Sequence, residues 1–386
     1  MTLRDYIEQE ICRRGPIPFS RYMTLCLYGA PSGDPPGFYS RAREQFGKSG
    51  DFYTSSDVHA VFGRLLARQF DEMWRALGSP ARIDLVELGP GRGLFAQDVF
   101  DWSAKKFPDF AGALHYTLAE TSPELARRLR ERFADRIARG KVEVLPGFDD
   151  FGPQFDHAII FANEFFDALP VEIVSDRGQL YVGAENGRFI EIFQPPTPAV
   201  HEFLDRYGVR PEPGERVEAC PEALPWIKTL SRIMRRGFAI LIDYGYTREE
   251  QLAGRHRDTL MTYRRHSAGT NPYEAPGEQD ITAHVNFTAL MESGKTFGLD
   301  LLALVTQAQF LMGIGEANEF ADAFEDCRLP QERAKVALQL KHLATPVGMG
   351  EVFDVLVLGK GIEKENTADL SGLRFSRSLA GPRPRG

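Results

Sequence analysis

Ile83-Asp84-Leu85-Val86-Glu87-Leu88-Gly89-Pro90-Gly91-Arg92-Gly93-Leu94-Phe95 is the stretch that decides the fold class of this 386-residue chain. Its first six residues form a short, largely apolar run, the pattern of a buried parallel strand. Gly89, Gly91 and Gly93 follow at alternate positions. From Leu94 to Lys106 the apolar residues Leu94, Phe95, Val99 and Trp102 then recur at helical spacing. Strand, glycine turn and helix in that order form the local geometry of a nucleotide-cofactor site. Without Cβ atoms the turn accepts positive φ and lets a ligand approach the backbone.

Upstream, Leu3, Ile7 and Ile11 mark a helical N-terminus broken at Gly15-Pro16, and the apolar stripe from Val58 to Leu77 predicts a helix just before the glycine stretch. Between them lies Gly50-Asp51-Phe52-Tyr53-Thr54-Ser55, dense in hydroxyls and carboxylates. Downstream, short strands are expected at His115–Ala119, Lys141–Leu145, His157–Ala162, Gly237–Ile242, Leu299–Thr306 and Glu351–Leu358. Their alternation with helical patterns implies βαβ units and a mostly parallel sheet. Two stretches break the rhythm. Val171–Phe193 reads as an antiparallel excursion with turns at Asp176-Arg177-Gly178 and Glu185-Asn186-Gly187, and Arg248–Ala283 reads as a long loop or lid. The division expected is an N-terminal helical region at 1–80 covering the cofactor site, a core at 81–165 and 221–362, a β-rich substrate insertion at 166–220, and a flexible tail at 363–386.

Composition narrows the class. With 43% hydrophobic and 26% charged residues the chain has the balance of a globular protein, and a net charge of −8 argues against nucleic acid as a partner. The four cysteines, Cys12, Cys26, Cys220 and Cys327, form no CxxC pair, so neither a metal site nor a disulfide framework is expected. No apolar run is long enough to span a membrane. Asp5, Glu8 and Glu10 near the N-terminus fit neither a secretory signal nor an acid-poor transit peptide, which points to a cytoplasmic protein.

Gly91-Arg92-Gly93-Leu94-Phe95-Ala96 satisfies the dinucleotide fingerprint G-x-G-x-x-A, so NAD competes for the turn. Three details favour S-adenosylmethionine. Glu87 puts a carboxylate at the strand tip, where it suits a ligand carrying an ammonium group. Glu120, at the end of the next strand, is placed to accept hydrogen bonds from ribose hydroxyls. Seven sheet strands result if Glu351–Leu358 is counted, the number of a methyltransferase sheet. Ordinary roles compete: Glu87 could bond a backbone amide, and Glu120 could be an exposed strand-end residue.

Asn163-Glu164-Phe165-Phe166-Asp167-Ala168-Leu169-Pro170 forms the second constellation. It closes a strand whose carboxyl end faces the same crevice as the glycine turn. Two carboxylates three residues apart, with two aromatics between them, can clamp a planar cation by bidentate bonds and ring stacking. A capped turn with two core phenylalanines would look the same.

These motifs, with Asp243-Tyr244-Gly245 and Pro276-Gly-Glu-Gln-Asp-Ile-Thr-Ala-His-Val-Asn286-Phe287, resemble those of the MidA-like methyltransferases, in matching order over nearly the whole chain. Asn286 stands where that family usually has Asp, and Ser56 where it usually has Pro. The resemblance implies a Rossmann-like seven-stranded α/β fold, S-adenosylmethionine as cofactor, and symmetric dimethylation of an arginine on a respiratory complex I subunit. On this reading Asp51, Tyr53, Thr54, Ser55, Glu87, Gly89, Pro90, Gly91, Gly93, Glu120 and Asn163 hold the cofactor. Phe165, Phe166, Asp243 and Tyr244 meet the substrate, and Glu164, Asp167 and His284 carry the chemistry, with no metal. The rivals are a small-molecule methyltransferase, a cofactor-binding assembly factor that acts by holding a partner, and an NAD oxidoreductase.

Overall fold

Thr2 starts the first helix, Leu3–Arg14, with a capping box: its hydroxyl accepts from Asp5 N–H while the Asp5 carboxylate accepts from Thr2 N–H. A two-residue strand, β1 (Ile17–Pro18), separates it from the helix Phe19–Tyr28. The computed structural model describes residues 1–41, 60–147, 151–152, 154–264, 267–345 and 348–376. Expected site residues Asp51, Tyr53, Thr54 and Ser55 therefore lie outside the described residues, as does Ser56.

The central sheet is built from β2 (Ile83–Leu88), β3 (Leu114–Ala119), β4 (Val142–Leu145) and β5 (Phe155–Asn163), followed by strands from the second half of the chain. An insertion comes first: β6 (Glu172–Ser175), β7 (Gly178–Glu185), β8 (Arg188–Gln194) and β9 (Arg216–Ala219). The sheet resumes with β10 (Met234–Tyr246). A small three-stranded sheet of β11 (Met261–Arg264), β12 (Ser267–Gly269) and β13 (Asp280–Thr282) follows, then the short β14 (Val285–Asn286) alongside β10. β15 (Asp300–Thr306) and β16 (Phe353–Lys360) complete the central order β15-β16-β10-β5-β2-β3-β4. Pairing is parallel from β4 to β10, and β16 runs antiparallel to both its neighbours. The seven strands of this order form the expected mostly parallel α/β sheet, and the two-residue β14 adds an eighth strand beside β10.

Both faces of the sheet are covered, which explains why β2 is buried at all six positions rather than alternating. One face packs Phe161, Phe238 and Ile240 against the helices Ala60–Ala76 and Leu94–Lys106 and the helices near residues 307–344. The other packs Val86, Ile160 and Leu241 against the helices Ala223–Ile233 and Phe287–Thr296. Phe95 stacks on Phe161 at 4.4 Å between centroids, so the helix after the glycine turn is pinned to β5.

A separate core joins the N-terminus to the insertion. β1 pairs with β7 (Ile17 opposite Val182), giving the order β1-β7-β6-β9, and Phe19, Tyr22 and Leu25 pack on Ile173, Leu180 and Ile281. Ser122 caps the helix Pro123–Arg132, which stops at the buried Phe133 before a second turn, Ala134–Ala138. Residues 370–373, within the tail expected to be flexible, depart from that expectation. Leu370 is buried, the Ser371 hydroxyl and N–H both donate to Glu72, and Gly372 N–H donates to Gln69 Oε1, so residues 370–373 are docked on the helix Ala60–Ala76. Among the described residues no helix is long and apolar enough to cross a membrane.

Candidate active site

The carboxyl ends of β2, β3, β5 and β10 open into one cavity of about 1130 Å³, roofed by Tyr28 and Tyr39 from the N-terminal segment and by Tyr263, Asp280 and Thr282 from the three-stranded excursion. Ligand sites in open α/β sheets form at such strand ends. Its size exceeds the usual ~300–1,000 Å³ of a small-molecule pocket, which leaves room for a cofactor and an acceptor together.

At the glycine turn, Gly89, Gly91 and Gly93 all have positive φ (63°, 52° and 71°). Gly89, Pro90 and Gly91 line the cavity. Gly93 does not. A Cβ there would lie 2.6 Å from Leu129 Cδ2 and 2.9 Å from Phe133 Cε2, so this glycine lets the helix Leu94–Lys106 pack on its neighbour. Its expected contact with the cofactor is replaced by a packing role. Glu87 lines the wall and accepts from the Tyr116 hydroxyl (2.8 Å), and burial pushes its carboxyl up to about 8. Glu120 accepts from Ser122 N–H (2.8 Å). Burial pushes its carboxyl up to about 7, opposed by the N–H groups of Ser122, Gly91 and Thr121.

The Asn163–Pro170 run leaves β5 through Glu164, whose φ of 52° is in the left-handed region that few non-glycine residues occupy. Its N–H donates to Ile242 O (2.9 Å), and its Oε1 accepts from Asn163 Nδ2 (3.0 Å). Asn163, Glu164, Phe165, Asp167, Tyr244 and His284 all line the cavity. Asp167 accepts from the Tyr244 hydroxyl at 2.5 Å through Oδ2, while its buried Oδ1 has no hydrogen-bond partner among the described residues. Burial pushes the Asp167 carboxyl up to about 6. The Tyr244 ring meets His284 edge-on, and the Nδ1 atoms of His284 and His256 lie 3.1 Å apart.

Two residues expected at the substrate are elsewhere. Asp243 is 1% exposed and does not line the cavity. Its Oδ2 accepts the N–H groups of Phe165, Phe166 and Asp167, and its Oδ1 that of Tyr244. A carboxylate satisfied by four backbone donors holds the turn from behind. Phe166 is turned into the core, edge-on to Phe165, whose own ring lies edge-on to Trp226. Gly245 is needed for β14, since a Cβ would sit 2.1 Å from Val285 O.

A family model of S-adenosyl-L-methionine-dependent methyltransferases matches residues 65–305, well over half the chain and including both constellations. The chain belongs to this methyltransferase family. The methyltransferase is similar to a crystal structure from Burkholderia thailandensis bound to S-adenosyl-homocysteine. The two share 28% identity with a TM-score of 0.79, over 97% of this chain and 95% of that one. Among curated relatives it is 28% identical to the protein arginine methyltransferase NDUFAF7 homolog of Drosophila melanogaster, over 94% of this chain and 85% of the relative. It is 27% identical to the Homo sapiens protein arginine methyltransferase NDUFAF7, over 92% of this chain and 82% of that protein. Both relatives are named as mitochondrial, which overturns the expected cytoplasmic location.

S-adenosylmethionine is the cofactor, and the cavity fits it. The backbone at Gly89 and Gly91 carries no side chain that would fill the space, and two buried carboxyls, Glu87 and Glu120, flank the turn. We expect Glu120→Ala to weaken S-adenosylhomocysteine binding by about 1.5–3 kcal/mol, the range of a hydrogen bond to a charged group. Calorimetry that finds the affinity unchanged would remove Glu120 from the ribose site.

With both carboxyls raised, cofactor binding by the methyltransferase is expected to depend on pH. A carboxyl whose folded pKa is raised stabilises the free protein below its unfolded value, near 4.5, and that contribution is lost as pH rises through the folded value. For Glu120 and Glu87 the loss falls between pH 4.5 and about 8. Ribose hydroxyls bond best to the ionised form, so cofactor affinity should rise with pH and level off near 8. The thermal upshift from saturating S-adenosylhomocysteine should accordingly be larger at pH 8 than at pH 6. An upshift that is constant or falls with pH would contradict the assignment.

Several cavity residues carry no sequence signature of their own: Tyr28, Tyr39, Trp226 and Tyr263. Asp280 sits within the Pro276–Phe287 motif and was open to assignment. The tyrosines come from segments remote in sequence and are identifiable only once folded. Asn286 uses both ends of its amide. Its Oδ1 accepts from Ala289 N–H to cap the helix Phe287–Thr296, and its Nδ2 donates to Tyr207 O (2.9 Å), which an Asp could not do.

Proposed function

We propose that this methyltransferase transfers methyl groups to an arginine side chain of a protein, with a respiratory complex I subunit as the favoured substrate. One observation carries the reading: the turn at the end of β5 presents Glu164 and Asp167 to the cavity, with Asp167 Oδ1 lacking a donor among the described residues. A buried carboxylate oxygen without a partner is costly, and a cationic acceptor would satisfy it. The names of the curated relatives support the same acceptor. The complex I subunit follows from the family resemblance of the motifs.

Bound S-adenosylmethionine supplies a methyl group activated by its sulfonium. The chain's own residues have the remaining tasks. Positioning falls to the glycine turn and to Glu164, whose backbone is fixed by Ile242 O. Arginine is protonated at physiological pH, so one N–H proton must leave as the N–C bond forms. Asp167, with its carboxyl lifted to about 6, is a stronger base than an exposed aspartate and is the first candidate to take that proton. His284 lies on the same wall, and His256 is half-buried behind it.

Mass spectrometry of cells with and without the gene tests the proposal. Methylarginine in a specific peptide should vanish with the gene and return with the wild-type copy but not with Glu164→Gln. Complementation by a variant that no longer binds cofactor would instead favour a holding role for a partner subunit.

A further inference from the structure

Asp280 and Tyr39, which help to roof the cavity, have no part in the cofactor or methyl-transfer assignments above. Asp280 is 3% exposed at the start of β13, directly paired with Tyr263 of β11. Its Oδ1 accepts the Tyr39 hydroxyl at 2.8 Å and the N–H of Ile281 at 3.0 Å. The end of the same segment is tied to the β5 turn, because Ala283 N–H donates to Asp167 O at 3.0 Å. Asp167, itself 6% exposed, is held in a matching way by the Tyr244 hydroxyl, with its Oδ1 left without a donor among the described residues. The cavity wall therefore carries two buried carboxylates, each accepting a tyrosine hydroxyl, on segments that are tied together by the Ala283–Asp167 backbone bond.

We propose that Asp280 with Tyr39, together with Asp167 with Tyr244, forms the binding site for the acceptor's guanidinium group. The proposal rests on the arginine reading above and deepens it. A guanidinium is planar and offers five N–H donors directed along fixed edges, so it can engage two carboxylates at once. The tyrosine hydroxyls donate to those carboxylates, which fixes their orientation before the acceptor arrives. They also keep lone pairs that can accept a further N–H. An ammonium group is a compact charge and has no extended edge to fit two such pairs. A neutral urea group of the same shape offers no charge to either carboxylate. The site is thus built to choose arginine over both lysine and citrulline. Asp280 acts here in binding and orientation, and Tyr39 positions it.

The test uses the full chain saturated with S-adenosylhomocysteine, titrated by calorimetry with N-acetyl-arginine amide, N-acetyl-lysine amide and N-acetyl-citrulline amide. Wild type should bind the arginine compound roughly tenfold or more tighter than the other two, a difference of about 1.4 kcal/mol. Asp280→Asn, which keeps the oxygen that Tyr39 and Ile281 bond, should lose most of that preference with S-adenosylhomocysteine affinity within about twofold of wild type. Tyr39→Phe, which removes one hydroxyl and keeps the ring, should lose part of it and serves if Asp280→Asn does not fold. Full preference retained in a folded Asp280→Asn, or in Tyr39→Phe where that variant is the one read, would overturn the clamp and leave the arginine reading standing. No preference for arginine in wild type would overturn both.

Discussion

Glu164→Gln is expected to slow methyl transfer by roughly 10²-fold or more, the scale on which a positioned acid–base group contributes, with cofactor affinity almost unchanged. The substitution keeps shape and volume and removes the charge. The separation of effects follows from position. Glu164 stands at the mouth of β5, whereas the glycine turn, Glu87 and Glu120 stand at β2 and β3. Its left-handed backbone is a conformation that costs about 1–3 kcal/mol for a residue with a side chain, and such strain gathers where function requires a particular placement. A glutamate with only a structural role predicts another pattern: a lower melting temperature and normal transfer per folded molecule. Measuring melting temperature, S-adenosylhomocysteine affinity and single-turnover transfer on one preparation separates the two.

Asp243→Ala is expected to cost about 3 kcal/mol or more in stability, because it strips the acceptor from four backbone N–H groups and each buried donor left unsatisfied costs about 1–3 kcal/mol. The damage should be local as well as global. The turn at residues 165–167 would lose the group that gathers its amides, so transfer should be lost even below the melting transition. Asp243→Asn should be milder yet still destabilising, since its NH₂ must face donors on one side. Denaturant unfolding gives the first quantity, and transfer at low temperature gives the second. A stable and active Asp243→Ala would contradict the anchoring role.

The parts of this fold set by local pattern were legible from sequence. Ile83–Leu88 had to be a doubly covered strand because its apolar run has no alternation, and β16 announced itself by the same means. The Asn163–Pro170 run was locatable because strand ends in parallel sheets face the crevice. What was not legible depended on partners remote in sequence. β1 is two residues long and contains a proline, and only its pairing with β7 more than 160 residues later makes it a strand. Asp243 reads identically whether it faces a ligand or a set of amides, and the fold chose the amides. Gly93 shared the rhythm of Gly89 and Gly91, yet its reason is the approach of Leu129 and Phe133. Tyr39 had no local feature to distinguish it from any other aromatic until it was placed beside Asp280.

The tail from Glu363 shows the same limit from the other side. Its polar composition suggests poor packing. A few residues override that average: Leu370 enters the core and Ser371 is bonded twice to Glu72. Burial of one leucine and three hydrogen bonds is enough to dock a short segment that composition alone assigns to solvent.

Transfer to an arginine nitrogen, as proposed, is tested most directly by following the methyl group. Purified wild-type protein and Glu164→Gln can each be incubated with S-adenosylmethionine labelled in its methyl group and with proteins from cells lacking the gene. The labelled protein is then hydrolysed to amino acids and separated. Label in methylated arginine from the wild-type reaction, and nearly none from Glu164→Gln, is the predicted result. Label in lysine, histidine or a carboxyl ester, or label confined to small molecules, would contradict it.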